Sequence, residues 1–116
     1  MRLKSSIFVA ALIRSESSKG AFCTILNKGA EEAGAIFICH NKSRDNSDFY
    51  GPVSQSVLPQ DHASDRYFEV LKTGLADAQV SQFIEKQMKF DTDIWVVEIE
   101  TPQALEDLNI LSQDES

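Results

Sequence analysis

The chain has 116 residues, of which 42% are hydrophobic and 25% are charged, a composition typical of one soluble globular domain. The chain is too short for two domains. Its formal net charge is −7. Six of the 18 acidic residues lie from Glu98 onward, where no Lys or Arg occurs, so the preceding part is nearly neutral. We expect neither nucleic acid nor an anionic membrane surface as a partner, because both are bound mainly through Lys and Arg.

The N-terminal residues imitate a signal peptide, since Arg2 and Lys4 precede an apolar run at residues 7–13. The run stops at Arg14, lacks a small-residue cleavage site after it, and is shorter than the ~20 apolar residues that a spanning helix needs. The two cysteines have neither metal-pair nor redox-pair spacing, which is typical of a reducing compartment. We therefore expect a cytoplasmic protein without a cofactor.

The first elements are predicted from short apolar segments. Residues 7–13 form a continuous run rich in β-branched and aromatic side chains, which favours a buried strand, although periodicity alone leaves a helix open. Ser17 and Ser18 offer an N-cap, and apolar residues then recur at helical spacing up to Lys28. We predict the first helix over residues 19–28, with Gly29 as its C-terminal cap.

The middle of the chain reads as a hairpin followed by a loop and a further strand. Residues 34–40 are apolar and predict a central strand, residues 41–47 a polar turn, and residues 48–50 the returning arm. Residues 53–64 are typical of a long loop. The segment Tyr67–Leu71 predicts another strand, ended by the Thr and Gly that follow.

The strongest periodicity predicts a second helix over residues 78–90, capped by Asp77. A strand follows at residues 94–100. Thr101 and Pro102 are a typical cap and first helical residue, so a short C-terminal helix is expected. We expect residues 1–101 to form the domain and residues 102–116 an acidic helix or tail.

The predicted order is β-α-β-β-β-α-β plus the short C-terminal helix. It predicts an α+β fold: a two-layer sandwich related to ferredoxin-like folds, with a mixed or antiparallel sheet of about five strands and two main helices on one face. Two helices are too few to cover both faces of such a sheet. The second face then needs polar side chains, the C-terminal helix or a partner subunit.

Several segments occur in the order found in a small bacterial family. They are Lys28-Gly29 with the following Ala30–Phe37, Tyr50-Gly51-Pro52, Ser64-Asp65-Arg66 and Phe90–Glu98. Over about residues 1 to 100 the chain resembles the domain-of-unknown-function family 1491, whose members are of about this length. The resemblance implies no activity and supplies no catalytic residue. The tail from Pro102 onward departs from the shorter ending expected for the family.

A carboxylate group at the last strand is a candidate metal site. Asp91 and Asp93 are separated by one residue, so in extended chain their carboxylates point the same way, and Glu98 is nearby in sequence. The alternative is a turn in which the two aspartates accept hydrogen bonds from backbone amides. We favour the turn, because hard cations usually need three or more converging oxygen ligands.

Four charged residues form a second candidate functional surface. Glu31 and Glu32 lie on a short connection before a buried strand, where catalytic carboxylates are often found, although such pairs are more often solvated. The Asp65–Arg66 pair is suited to holding an anionic substrate through the guanidinium fork. An ordinary surface ion pair is the alternative that we favour.

The remaining chemically active side chains favour structural roles. His40 and His62, the latter beside Asp61, are possible acid-base groups without a nucleophile in local sequence. Cys23 and Cys39 lie in apolar stretches, where burial raises a thiol pKa. Trp95 is predicted in the core, and glycine-rich nucleotide-binding motifs are absent from the sequence.

The sequence thus favours a non-enzymatic module that dimerises or binds another protein, because its apolar strands outnumber its helices. The alternative is a small metal-assisted hydrolase that uses the carboxylates named above. A small-molecule site beside the loop at residues 53–64 is a third, weaker hypothesis.

Overall fold

The computed structural model describes residues 2–58 and 65–111. Two helices and six strands follow one another in this order: α1 (Ser5–Ser18), β1 (Phe22–Asn27), β2 (Ile36–Ser43), β3 (Asn46–Pro52), β4 (Tyr67–Leu75), α2 (Asp77–Phe90), β5 (Trp95–Glu100) and β6 (Asn109–Ile110). A 3₁₀ turn occupies Gln55–Val57. The rest of the loop predicted at residues 53–64 lies, from residue 59, outside the described residues.

The strands form one mixed sheet in the order β1-β5-β2-β3-β4-β6. The pairs β2–β5 and β4–β6 are parallel, and the other three neighbouring pairs are antiparallel. The predicted α+β class and the mixed sheet with two main helices are therefore confirmed. The predicted hairpin of β2 and β3 is present, but its strands include most of the turn predicted at residues 41–47 and leave only residues 44–45 between them. β4 continues through Gly74 rather than ending before it.

The first two elements are exchanged relative to the prediction. Residues 7–13, expected to be a strand, lie within α1, and residues 22–27, expected to be helical, form β1. The buried residues of α1 are Ser5, Val9, Leu12 and Glu16, whose spacing of four, three and four matches one helix face. Apolar residues also occupy the exposed face, namely Ile7, Ala10 and Ala11, and they hide this period in the sequence.

Gly20 explains where α1 ends. Its φ of 98° is open to glycine and unfavourable for other residues. The amide of Ala21 donates to the carbonyl of Glu16 and that of Gly20 to the carbonyl of Ser17, which is the Schellman pattern of a helix C-terminus. Gly20 thus terminates a helix that precedes it, whereas the prediction placed it inside a helix that begins at residue 19.

The two helices pack on opposite faces of the sheet, not on one face as in a two-layer sandwich. Neighbouring residues of β2 alternate between the two cores: Ile36 and Ile38 pack with Val9 and Leu12 of α1, whereas Phe37 and Cys39 pack on the side of α2. The second core contains Phe49, whose ring lies edge-on to Phe83 of α2 at 4.6 Å between centroids. Each face thus carries its own helix, and the bare face that the sequence predicted is not found.

The described part of the C-terminal tail, residues 102–111, is not helical. Leu105 and Leu108 are buried in the core on the α1 side, and the two-residue strand β6 pairs with the start of β4. The predicted short C-terminal helix is therefore wrong for these residues. The leucines that suggested a helix stripe instead cover the α1 face of the sheet.

The N-terminus of α2 is capped from the neighbouring hairpin. The N-cap residue is Ala76 rather than Asp77, and an alanine side chain accepts no hydrogen bond. The Asp77 amide donates instead to the carboxylate of Asp45, at 3.1 Å, in the β2–β3 turn, and the Ala76 amide donates to Gln79. A capping partner so distant in sequence cannot be identified from local spacing.

Candidate functional site

The four residues of the predicted functional surface lie around the start of α1. The backbone amides of Ser5 and Ser6 donate to the carbonyls of Glu32 and Glu31, at 3.1 and 3.0 Å. These bonds satisfy two helix-terminal amides that otherwise lack partners. The Glu32 carboxylate lies 3.9 Å from the ammonium of Lys4, and both side chains are largely exposed. The two glutamates therefore contribute backbone carbonyls at this site.

Arg66 crosses from the start of β4 to the same helix end. Its Nη2 donates to the carbonyl of Leu3 at 2.8 Å and to the hydroxyl of Ser5 at 3.3 Å. The guanidinium lies over the ring of Phe8, 5.3 Å from its centroid, a distance suited to a cation–π interaction. The backbone carbonyl of Asp65 accepts a hydrogen bond from Arg2. The structure thus brings Glu31, Glu32, Asp65 and Arg66 to one helix end.

The acidic residues Asp91, Asp93 and Glu98 are not brought together in this way. The Asp91 carboxylate accepts a hydrogen bond from the amide of Asp93 at 2.8 Å, which is the turn arrangement favoured from the sequence. Glu98 lies on β5, five residues of extended chain beyond Asp93, or roughly 16 Å. Within the described ranges, no group of three or more His, Cys, Asp or Glu side chains could hold a metal ion.

The histidines and cysteines lie mainly in structural positions. His40 is buried, and its Nε2 lies 2.9 Å from the carbonyl oxygen of Thr101. His62 lies outside the described residues. Burial raises the pKa of the Cys39 thiol to about 12 and also raises that of the half-buried Cys23. The prediction that both thiols belong to apolar surroundings agrees with these positions.

Two residues fix the connection before β2 against the start of β5. Trp95 is buried, as predicted, and its indole nitrogen donates to the carbonyl of Ala30 at 2.8 Å. Gly29, expected to cap a helix, lies instead against backbone: a Cβ there would stand 2.4 Å from the carbonyl oxygen of Asp93. This position requires glycine because two backbone segments meet there.

The free edge of β1 is the most apolar exposed part of the sheet. One side of β1 pairs with β5, and its other side pairs with none of the described strands. The segment Phe22–Asn27 carries no charge, and Phe22, Ile25 and Leu26 expose 67%, 44% and 41% of their surfaces. Charges and prolines are the usual protection of edge strands against pairing with another chain. Their absence marks this edge as a candidate interaction surface.

An apolar groove adjoins this edge on the α2 face. It has a volume of about 500 Å³. It is lined by Leu26 and Asn27 of β1 and by four residues of α2: Ile84, Glu85, Met88 and Lys89. In the β1–β5 register Phe22 lies opposite Glu100, so the two side chains share one face of the sheet. Glu100 lies two residues after Glu98 and four after Val96, which packs in the core on the α2 side. Because side chains alternate along a strand, Phe22 also projects on the α2 face.

A family model described as "Protein of unknown function (DUF1491)" matches residues 3–109. The chain belongs to the DUF1491 family. This confirms the resemblance found in the sequence, and the family's description assigns no activity. Curated proteins gave no match.

Solved structures of similar proteins share the fold. A protein from A. tumefaciens, solved in solution, is 37% identical, with a TM-score of 0.83 and complete coverage of both chains. A DUF1491 family protein from Caulobacter crescentus CB15, solved as a crystal structure, is 27% identical, with a TM-score of 0.77, over 97% of this chain and 100% of that one. An NMR structure of a DUF1491 family protein from the same organism is 28% identical, with a TM-score of 0.76, over 97% and 99% of the two chains.

The β1 edge of this DUF1491 protein was missed by sequence reasoning. Phe22, Ile25 and Leu26 were assigned to a helix face, where their exposure has no special meaning. The signal that could have revealed the edge is Gly20 after a polar serine-rich segment, a common helix ending. Arg2 was likewise taken as part of an imitated signal peptide.

In the described residues, no helix is long and apolar enough to cross a membrane.

Proposed function

We propose that this DUF1491 protein is a homodimerising module whose two copies pair through their β1 edges. The observation that carries the proposal is the uncharged, exposed β1 edge with the apolar groove beside it. We choose a second copy as the partner because this edge supplies both a large exposed apolar side chain, Phe22, and an apolar groove in which such a side chain can pack. In a two-fold interface the same patch occurs on both copies, so each Phe22 faces the other copy's groove.

The register of such a pairing follows from the sequence of β1. An antiparallel pair of β1 strands centred on Thr24 sets Phe22 of one copy opposite Leu26 of the other. Directly opposite residues have Cβ atoms about 4.5–5.5 Å apart. Phe22 would therefore lie at the groove that Leu26 lines with Ile84 and Met88. The irregularity in the β1–β5 register after Ile25 limits the new ladder to residues 22–26.

The free energy expected from this interface is small. Full burial of a Phe or Leu side chain is worth about 1.5–3 kcal/mol. Scaled by the exposed fractions of Phe22 and Leu26, the two copies together gain roughly 3–6 kcal/mol. A ladder of about four backbone hydrogen bonds adds roughly 2–6 kcal/mol net. Association itself costs an estimated 4–15 kcal/mol, so the gains leave at most about 8 kcal/mol and we expect a weak dimer, with a Kd of about 1 μM at its tightest.

Sedimentation equilibrium over a range of about 10 μM to 1 mM tests the proposal, because a dimer of this strength dissociates within that range. We expect concentration-dependent dimerisation of the unmodified chain and its loss in Phe22→Lys, which places two desolvated ammonium groups in the interface. The matched control is Val57→Lys, since Val57 exposes 66% of its surface on the loop after β3. A chain that stays monomeric throughout, or a control that dissociates equally, would overturn the proposal.

A cysteine placed at the two-fold axis tests the register separately. Thr24→Cys in a Cys23→Ser background puts two thiols opposite each other, within the Cα separation that a disulfide allows. We expect this variant to form a covalent dimer on mild oxidation. The control is Thr73→Cys, an exposed position on β4 in the same background. Equal crosslinking at both positions would contradict pairing through β1.

A further inference from the structure

A small cavity lies between the start of α1, the segment before β2 and the start of β4. Its volume is about 170 Å³, and it is more enclosed than the groove beside β1. Most of its wall is apolar or small, from residues such as Ile36, Phe68, Ala33 and Pro52. Two arginines, Arg2 and Arg66, complete the lining. A liquid water occupies about 30 Å³, so the cavity has room for a small polyatomic ion with its water.

The two guanidinium groups keep unused hydrogen-bond donors in this region. Arg2 donates from Nη2 to the carbonyl of Asp65 at 3.2 Å, and Arg66 donates from Nη2 to the carbonyl of Leu3 and the hydroxyl of Ser5. The Nε atoms of both arginines are buried and have no hydrogen-bond partner in the described part of the chain. Buried donors without partners are rare, and each calls for an explanation such as a bound ion.

The charge around the cavity is positive in a protein of net charge −7. The ion pairs between described residues all use lysines, so neither guanidinium is neutralised by a described carboxylate. The first turn of α1 contains no acidic residue to offset the positive end of its helix dipole. Burial and the nearby charge of Arg2 lower the pKa of Arg66, as expected for two like charges held close together.

We infer that the cavity between Arg2 and Arg66 is a binding site for a small oxyanion, either a phosphate or a carboxylate group. An oxyanion supplies a negative charge beside two guanidiniums that no described carboxylate pairs with, and acceptors for the N–H groups that they present to the cavity. Arginine suits this task because its planar fork matches the oxygen geometry of both groups. The neighbouring apolar wall limits competing water, which strengthens the charge-assisted bonds. This site is independent of the proposed dimer edge.

An NMR titration that observes the Nε–H signals of the arginines tests the site directly. Sodium phosphate, sodium acetate and sodium chloride are added separately at constant ionic strength. We expect saturable shifts of the Arg2 and Arg66 signals with phosphate, acetate or both, and none with chloride. Saturation by phosphate alone assigns the site to phosphate groups, and saturation by acetate alone assigns it to carboxylates. Saturation by neither overturns the inference.

Variants separate a built site from general attraction to positive charge. We expect Arg2→Gln to weaken binding about tenfold or more, because it removes one charge-assisted donor group. The matched control is Arg14→Gln, on the exposed side of α1, which leaves binding unchanged. Arg66→Lys keeps the charge and removes the planar fork, so we expect it to weaken binding as well. An equal loss in Arg14→Gln would contradict the site, and Arg2→Gln alone decides if Arg66→Lys does not fold.

Discussion

Replacing Gly20 with alanine tests the assignment of the N-terminal elements. A Cβ at this position meets nothing within 4 Å, so the cost comes from its φ of 98° alone. A left-handed backbone costs an L-residue about 1–2 kcal/mol. A chain of 116 residues has an unfolding entropy of roughly 0.24 kcal/mol per kelvin. We therefore expect Gly20→Ala to lower Tm by about 4–8 °C, measured by thermal unfolding followed by circular dichroism.

The competing assignment predicts the opposite sign. If residues 19–28 were a helix, Gly20 would lie near its start, and alanine would stabilise the protein by up to about 1 kcal/mol. A rise in Tm would therefore refute a helix that ends at Gly20. Gly20→Asn is expected to cost less than Gly20→Ala, because asparagine tolerates positive φ. Gly74→Ala is the control, because a Cβ at Gly74 also meets nothing within 4 Å. The φ of Gly74, 65°, lies within the left-handed region that other residues can adopt, so its Tm should fall less than that of Gly20→Ala.

Two further predictions concern buried titratable groups. Glu16 is buried, and this burial raises its pKa above 4.5 against the opposing charge of Lys19. The folded state therefore binds the Glu16 proton more tightly than the unfolded state does. Stability consequently falls as pH rises through the raised pKa. Glu16→Gln should therefore be more stable than the unmodified chain at neutral pH, with the difference vanishing below pH 4.5 in urea titrations; a pH-independent difference would contradict this. Since burial raises the pKa of Cys39 to about 12, iodoacetamide at about pH 8 should modify Cys23 first and Cys39 only on unfolding, as mass spectrometry would show; early labelling of Cys39 would contradict its burial.

The sequence predicts the elements between residues 34 and 100 well because their signals are local. The β2–β3 hairpin combines an apolar run with a polar turn, and α2 has four apolar residues on one stripe. β5 is apolar on both sides because each face of the sheet carries a helix. The sequence analysis placed both helices on one face, so strands that are apolar on both sides suggested that the other face lacked a helix to cover it. One helix on each face, with Leu105 and Leu108 added on the α1 side, covers more of the sheet than two helices on one face.

The two N-terminal segments are mispredicted because one local signal contradicts the final structure of each: the composition of residues 7–13 and the spacing of the apolar residues in 22–27. The run at residues 7–13 has the composition of a strand, and its exposed Ile7 conceals the helical period. The segment after Gly20 has apolar residues at helical spacing, but it is rich in the aromatic and β-branched residues that favour strands. Tertiary contacts decide both: Val9 and Leu12 pack on the sheet, and β1 pairs with β5.

Candidate site residues were predictable by type and not by partner. Arg66 was recognised as a possible anion ligand from its guanidinium alone. Its neighbour Arg2 lies 64 positions away in sequence, and the two line one cavity only because α1 begins beside the start of β4. The opposite holds for Asp91 and Glu98, which are close in sequence and separated along an extended strand. Sequence proximity therefore misleads in both directions here.

Both proposed sites depend on the exchange of the first helix and strand. If residues 7–13 were a strand, the positive helix end beside Arg66 would not exist. If residues 22–27 were a helix, Phe22 would have no free edge to present to a second copy. The sign of the Gly20→Ala effect therefore tests a premise common to the two proposals. Loss of dimerisation in Phe22→Lys and loss of anion binding in Arg2→Gln then test each one alone, because their residues lie on different elements and do not overlap.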